Sequence, residues 1–177
     1  MPRVSRIFID YACYHIASRG NQKQCIFRDN NDYVKYLSMV RRAKKKYCIS
    51  IYAYCLMPNH IHILIDSACS RDISKFMHWI NRGYTAYYNA RYNVVGHLWQ
   101  GRFLSKPIVK GRYLINCATY IETNPIRANL ASDIEEYLWS SYKERCLSLD
   151  HGIVDEMKIE YSEDALGTAL ISEKGTL

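Results

Sequence analysis

The sequence predicts an α+β domain in which four strands and two long helices follow one another as strand, helix, strand, strand, helix, strand. Three observations carry that prediction. Short runs rich in β-branched and aromatic residues occur at 7–18, 48–56, 60–65 and in the stretch ending at Val109, and such runs read as strands. Between them lie two stretches whose apolar residues recur at helical spacing, one from Tyr33 and one from Ile73. Finally, the 177 residues are 49% hydrophobic and 23% charged, which is enough apolar matter for one core and unlike a disordered chain.

The turn residues Arg19-Gly20-Asn21 close the first strand. His15 lies within that strand, either hydrogen-bonded for structural reasons or turned toward a site. Asp29-Asn30-Asn31-Asp32 offers capping side chains for a helix with Tyr33, Leu37 and Val40 on one face, running to about Lys46. Its end carries Arg41, Arg42, Lys44, Lys45 and Lys46; cations suit a helix C-terminus and could equally grip phosphates. The second strand passes through the turn Met57-Pro58-Asn59 into the third, so the two read as a hairpin. Ser70 or Asp72 is expected to cap the second helix, whose apolar stripe is Ile73, Phe76, Met77, Ile80 and Tyr84 and which Asn93 and Gly96 end. After residues 97–103 comes the fourth strand. The order βαββαβ is the ferredoxin-like plan, an antiparallel sheet with both helices on one face, which RNA-recognition (RRM-like) modules share. The plan by itself names no function.

Additional C-terminal helices follow. Lys110-Gly111-Arg112 opens a third helix, and Pro125 should stop it at Asn124. Leu114, Ala118 and Ile121 share the face expected to pack on the domain; Tyr113, Asn116, Tyr120 and Asn124 share another. A short amphipathic helix is expected over 135–146. The single domain is expected to span 1–149, with 150–177 an acidic, loosely packed or mobile tail.

A net charge of +7 favours an anionic partner. Tyr outnumbers Phe by 16 to 4, and tyrosine suits wet surfaces on which bases stack as well as the edges of cores. Together they make nucleic acid the leading partner. Seven cysteines without a Cys-x-x-Cys pair argue against a disulfide framework and a zinc ribbon, and most are expected to be small buried hydrophobes. No apolar run approaches a membrane span and the N-terminus does not read as a secretory signal, so no membrane partner and a cytoplasmic location are expected.

His60-Ile61-His62 is the stretch with chemistry in it. On a strand both imidazoles point the same way, ~6–7 Å apart. They can supply two ligands of a metal, although two do not close a site, and an ordinary half-exposed pair on a strand has the same spacing. Four blocks then fall into order: Tyr14-His15-Ile16-Ala17-Ser18-Arg19-Gly20-Asn21, Leu56-Met57-Pro58-Asn59-His60-Ile61-His62, Leu98-Trp99-Gln100-Gly101-Arg102-Phe103 and Tyr120-Ile121-Glu122-Thr123-Asn124-Pro125. Over residues 7–145 the sequence resembles the HUH (His-hydrophobic-His) single-tyrosine transposases of the insertion-sequence type, and within them the REP-associated tyrosine transposase branch.

The resemblance implies that His60 and His62 bind a divalent metal, Mg²⁺ or Mn²⁺, and that Asn124, one helical turn past Tyr120, completes its ligands. It implies that Tyr120 attacks a phosphodiester of single-stranded or hairpin DNA, leaving a 5′-phosphotyrosine and a free 3′-OH. The chemistry is coherent, because a phenol with a pKa of about 10 needs help to lose its proton. A metal can polarise the phosphate, and the covalent link keeps the bond energy for rejoining. Arg19, Lys44, Lys45, Lys46 and Arg102 are the phosphate-contact candidates, while Trp99 and Phe103 either stack bases or pack the core. The alternatives are a non-catalytic single-stranded nucleic-acid-binding protein on the same fold, and a metal-dependent RNA nuclease that has no use for Tyr120. The acting unit is expected to be a monomer or a homodimer.

Overall fold

A computed structural model describes residues 10–109, 111–147 and 152–157. Strands β1 (Ala12–Arg19), β2 (Ser50–Met57), β3 (His60–Ser67) and β4 (Leu104–Ile108) form one sheet in the order β2-β3-β1-β4, each neighbouring pair antiparallel. The long helices α1 (Asn30–Tyr47) and α2 (Ser70–Tyr92) fall between β1 and β2 and between β3 and β4, which is the expected βαββαβ order. Three shorter helices follow: α3 (Arg112–Glu122), α4 (Asn124–Arg127) and α5 (Tyr142–Cys146).

The two-residue period of the strands sorts their side chains onto two faces. Tyr14, Ile16, Tyr54, Leu56, Ile61, Ile63 and Ile65 are buried with the apolar stripes of α1 and α2. Cys13, Ala53, Cys55, Met57 and Leu64 enter a second core with Leu114, Ala118 and Ile121 of α3. Helices therefore cover both faces, and His60 and His62 share the α3 face with Leu64.

Several local features differ from the sequence expectation, each for a non-local reason. β1 begins at Ala12, with Asp10 and Tyr11 in a turn; residues 7–9 lie outside the described residues. Asp10 is occupied elsewhere, since its carboxylate accepts the Ser70 N–H at 2.8 Å. It thereby caps α2, and neither Ser70 nor Asp72 does; the N-cap position is Cys69, which makes no side-chain cap bond. Asp29 does cap α1, accepting from the N–H groups of Asn31 and Asp32.

The helix expected over 135–146 shrinks to α5. Upstream of it the chain instead bonds to the outer edge of β2: Leu56 N–H donates to Trp139 O at 2.9 Å and Ser141 N–H to Tyr54 O at 2.9 Å. Those peptide groups satisfy a strand edge rather than one another. Residues 152–157, inside the stretch expected to be a tail, also dock on β2. Asp155 N–H donates to Ile51 O at 2.7 Å, and the Asp155 carboxylate accepts from Ile51 N–H at 2.8 Å. Ile153 is fully buried.

Of the seven cysteines, all free, only Cys13 and Cys55 are buried, fewer than expected. Tyrosine enrichment is largely a core property, with Tyr14, Tyr33, Tyr36, Tyr52, Tyr54, Tyr84 and Tyr88 all buried. Among the described residues no helix is long and apolar enough to cross a membrane.

Asp32 clasps α1 to α2 and carries one stability prediction. Its fully buried carboxylate accepts from Arg28 N–H at 2.8 Å, Tyr92 Oη at 2.7 Å, Tyr87 Oη at 3.0 Å and Arg91 Nη1 at 2.9 Å. Burial pushes its pKa up, but these hydrogen bonds and the Arg91 charge together hold it below the ordinary carboxylate value. A depressed folded pKa contributes stability above the unfolded value of about 3.9 and loses it as pH falls through the folded one. Asp32→Ala should cost about 1–3 kcal/mol at neutral pH in urea unfolding, because four part-buried donors lose their common acceptor.

Candidate active site

Backbone hydrogen bonds draw three of the sequence blocks together. Gly20 N–H donates to Asn59 O at 2.8 Å, Ile26 N–H to Pro58 O at 2.8 Å, Asn21 N–H to Leu98 O at 2.8 Å and Gln100 N–H to Arg19 O at 2.8 Å. The turn after β1, the β2–β3 hairpin turn and the loop before β4 thus become one rim beside the histidines. Gly20 has to be glycine here: a Cβ would run into the Gln24 carbonyl and the Ile26 side chain.

On β3, His60 sits opposite Arg19 and His62 opposite Ala17 of β1. His60 Nδ1 lies 2.6 Å from Asn59 Oδ1. The Asn59 amide nitrogen donates to Lys23 O at 3.1 Å, which identifies the oxygen as the end that faces His60. His60 Nδ1 therefore carries the ring proton, and Nε2 keeps its lone pair. His62 Nδ1 is 2.9 Å from His15 Nε2, so one of these two nitrogens donates to the other. When His62 is the donor, its Nε2 is likewise free to ligate. The His62 ring centroid is 5.0 Å from that of His15 and 5.0 Å from that of His60.

Burial lowers the pKa of all three rings. The Lys106 charge adds to the effect at His15 and the Arg19 charge at His60; His62, beside the other two, is pushed down to about 3. At neutral pH all three are neutral imidazoles, the form that binds metals. This donor set fits a divalent cation as a two-nitrogen half-site. Among the described residues no three His, Cys, Asp or Glu side chains gather to hold one, so oxygen ligands would have to complete it.

Tyr120 comes from α3, which crosses the same face. Its ring stands edge-on to His15, centroids 6.2 Å apart, and is 40% exposed. The Arg127 guanidinium lies 4.6 Å from the Tyr120 centroid, a cation–π contact. The Asn124 amide donates to the carbonyls of Tyr120 at 2.8 Å and Ile121 at 3.1 Å, closing the end of α3. Pro125 falls in the first turn of α4 and α3 stops at Glu122, so the expected break is present two residues early. Glu122 anchors α3. Its buried carboxylate accepts from Ser141 Oγ at 2.6 Å and pairs with Arg145 at 2.5 Å.

Arg19, Arg102, His60 and His62 line a common open cleft of ≈ 480 Å³ together with Gln100. Lys44, Lys45 and Lys46 are not brought there. They end α1, on the other side of the sheet, where Lys44 pairs with Asp155 at 2.7 Å and Lys46 lies over the rings of Tyr47 and Trp79. Phe103 is buried and Trp99 packs against the helical core, its Nε1 donating to Asn81 O at 3.1 Å. Sequence reasoning missed Asn59 and Arg127 and left His15 open. Only their places inside the sequence blocks, or just past the last one, hinted at a role.

The sequence profile of one protein family, described as "Transposase IS200 like", matches residues 9–124. No curated protein matches the chain. Among solved structures, the chain is similar to a REP-associated tyrosine transposase bound to a REP hairpin, with a TM-score of 0.70 and 16% identity over 92% of this chain and 96% of that one. A candidate transposase from Deinococcus radiodurans R1 superposes with a TM-score of 0.47 and 13% identity over 77% of this chain and 98% of that one.

Proposed function

The chain belongs to the family of IS200-like transposases, and on that premise we propose that it cuts and rejoins single-stranded, hairpin-associated DNA with Tyr120 as its nucleophile and His60 and His62 as metal ligands. One observation carries the reading: Tyr120, reaching in from a separate helix, lies against His15, which is hydrogen-bonded to His62 beside His60. A surface tyrosine and an ordinary strand histidine pair have no reason to meet across a sheet face.

In this reading the Tyr120 oxygen forms a bond to phosphorus as the bond from phosphorus to the 3′ oxygen breaks. The phenol gives up its proton and the departing 3′ oxygen takes one up, leaving a 5′-phosphotyrosine and a 3′-OH. The reverse step, with another 3′-OH attacking, rejoins strands without an external energy source. Arg19 and Arg102 contact phosphates along the cleft. Asn59 fixes the His60 tautomer and His15 orients His62. The divalent metal, Mg²⁺ or Mn²⁺, would polarise the scissile phosphate from His60 and His62, with Asn124 as the candidate oxygen donor.

Because a relative of this fold is bound to a REP hairpin, hairpin oligonucleotides with single-stranded flanks are the substrates to test. Incubation with Mg²⁺ or Mn²⁺ is expected to give a denaturant-stable protein–DNA adduct on gels, absent in EDTA. Binding without adduct in both metals across a hairpin pool would leave only a DNA-binding protein.

A further inference from the structure

A second cleft, of ≈ 680 Å³, lies between α2 and the loop that leads into β4. Arg102 lines both this cleft and the histidine cleft, so the two adjoin at that side chain. Beyond it, a third hollow shares Thr85, Trp99 and Gly101 with the second. Among the described residues, none of those lining the three is Asp or Glu. Arg19, Arg102 and Arg82 mark the route, with His78 beside Arg82.

The aromatic wall of the second cleft is rigid. Trp99 is pinned by its Nε1 bond to Asn81 O, and its ring lies 6.3 Å from that of Tyr36 and 6.2 Å from that of Tyr84. A fixed indole beside exposed guanidinium groups is the combination that holds single strands: bases stack on the ring and phosphates track the cations. We propose that this cleft is a binding channel for the single-stranded DNA flank leaving the histidine site, in which a base stacks on Trp99 while Arg82 and Arg102 hold the neighbouring phosphates. The proposal rests on the reading of the histidine cleft as the place where single-stranded DNA is cut.

Arg82 and Ala86 are exposed on α2 and line the channel without entering the core. The test uses the full chain in EDTA, so that nothing is cut, and fluorescein-labelled DNA hairpins with and without a single-stranded flank. Wild type should bind the flanked hairpin more tightly than the blunt one. Arg82→Ala should weaken flanked binding about tenfold and lower its salt slope by about one. Ala86→Glu, which places a carboxylate among the phosphates, should erase the advantage of the flank. Neither variant should change blunt-hairpin binding. In wild type, one abasic position in the flank should weaken binding by about tenfold through lost stacking, and this sensitivity should vanish in Ala86→Glu.

Wild-type affinity for the flanked hairpin in both variants, or equal losses on flanked and blunt DNA, would overturn the channel. The Tyr120 adduct, measured separately in Mg²⁺, reports on the catalytic reading. An adduct with no flank effect removes only the channel, whereas a flank effect with no adduct removes only the chemistry.

Discussion

Tyr120→Phe is expected to lower adduct formation by at least about 10³-fold while leaving the fold and DNA binding as they are. The substitution deletes one oxygen. The ring remains to stand against His15 and beneath Arg127, and at 40% exposure no buried hydrogen bond is orphaned. The change in stability should therefore stay within about 0.5 kcal/mol. Denaturing gels read the adduct, a thermal melt reads the fold, and fluorescence anisotropy reads hairpin binding. An adduct that survived at the wild-type rate would transfer the nucleophile's role to another side chain, with Tyr113, 69% exposed on the same helix, the first to examine.

His62→Ala should be nearly as severe, for a different reason. A metal acting on a phosphate supplies several kcal/mol of charge stabilisation, so losing a ligand should slow adduct formation on the order of 10³-fold at fixed metal concentration. Unlike the tyrosine variant, this one should also lose metal binding, which calorimetric titration of Mn²⁺ into the protein measures directly. It also takes the hydrogen-bond partner from His15. Unchanged Mn²⁺ affinity in His62→Ala, with the fold intact by circular dichroism, would separate the histidines from the metal.

Much of this arrangement was legible in residues close together in sequence. Alternation along β3 placed His60 and His62 on one face, and the i, i+4 and i+7 spacing of Leu114, Ala118 and Ile121 turned Tyr120 away from the α3 core. What could not be read is what depends on partners far along the chain. Asp10 caps a helix that begins 60 residues later, and Asn59 takes its orientation from the carbonyl of Lys23. The stretch before α5 carries a helical apolar pattern, yet it gives its hydrogen bonds to the open edge of β2. The lysines of α1 have the right charge for phosphates, but connectivity carries them to the far side of the sheet from the histidines. Charge and spacing identify candidate groups; only the path of the chain decides which of them meet.

The buried Glu122 clasp has a consequence for how many molecules a reaction needs. Two residues past Tyr120, it ties the tyrosine's helix to Ser141 and Arg145, and Ser141 is in turn bonded to β2 of the same chain. Tyr120, the proposed nucleophile, is thus held beside the histidines of its own polypeptide, and on that reading their effective concentration does not fall with dilution. Adduct yield per molecule should stay constant as the protein is diluted. Mixing Tyr120→Phe with His62→Ala should then restore nothing, whereas recovered adduct would mean that Tyr120 of one chain serves the histidines of another.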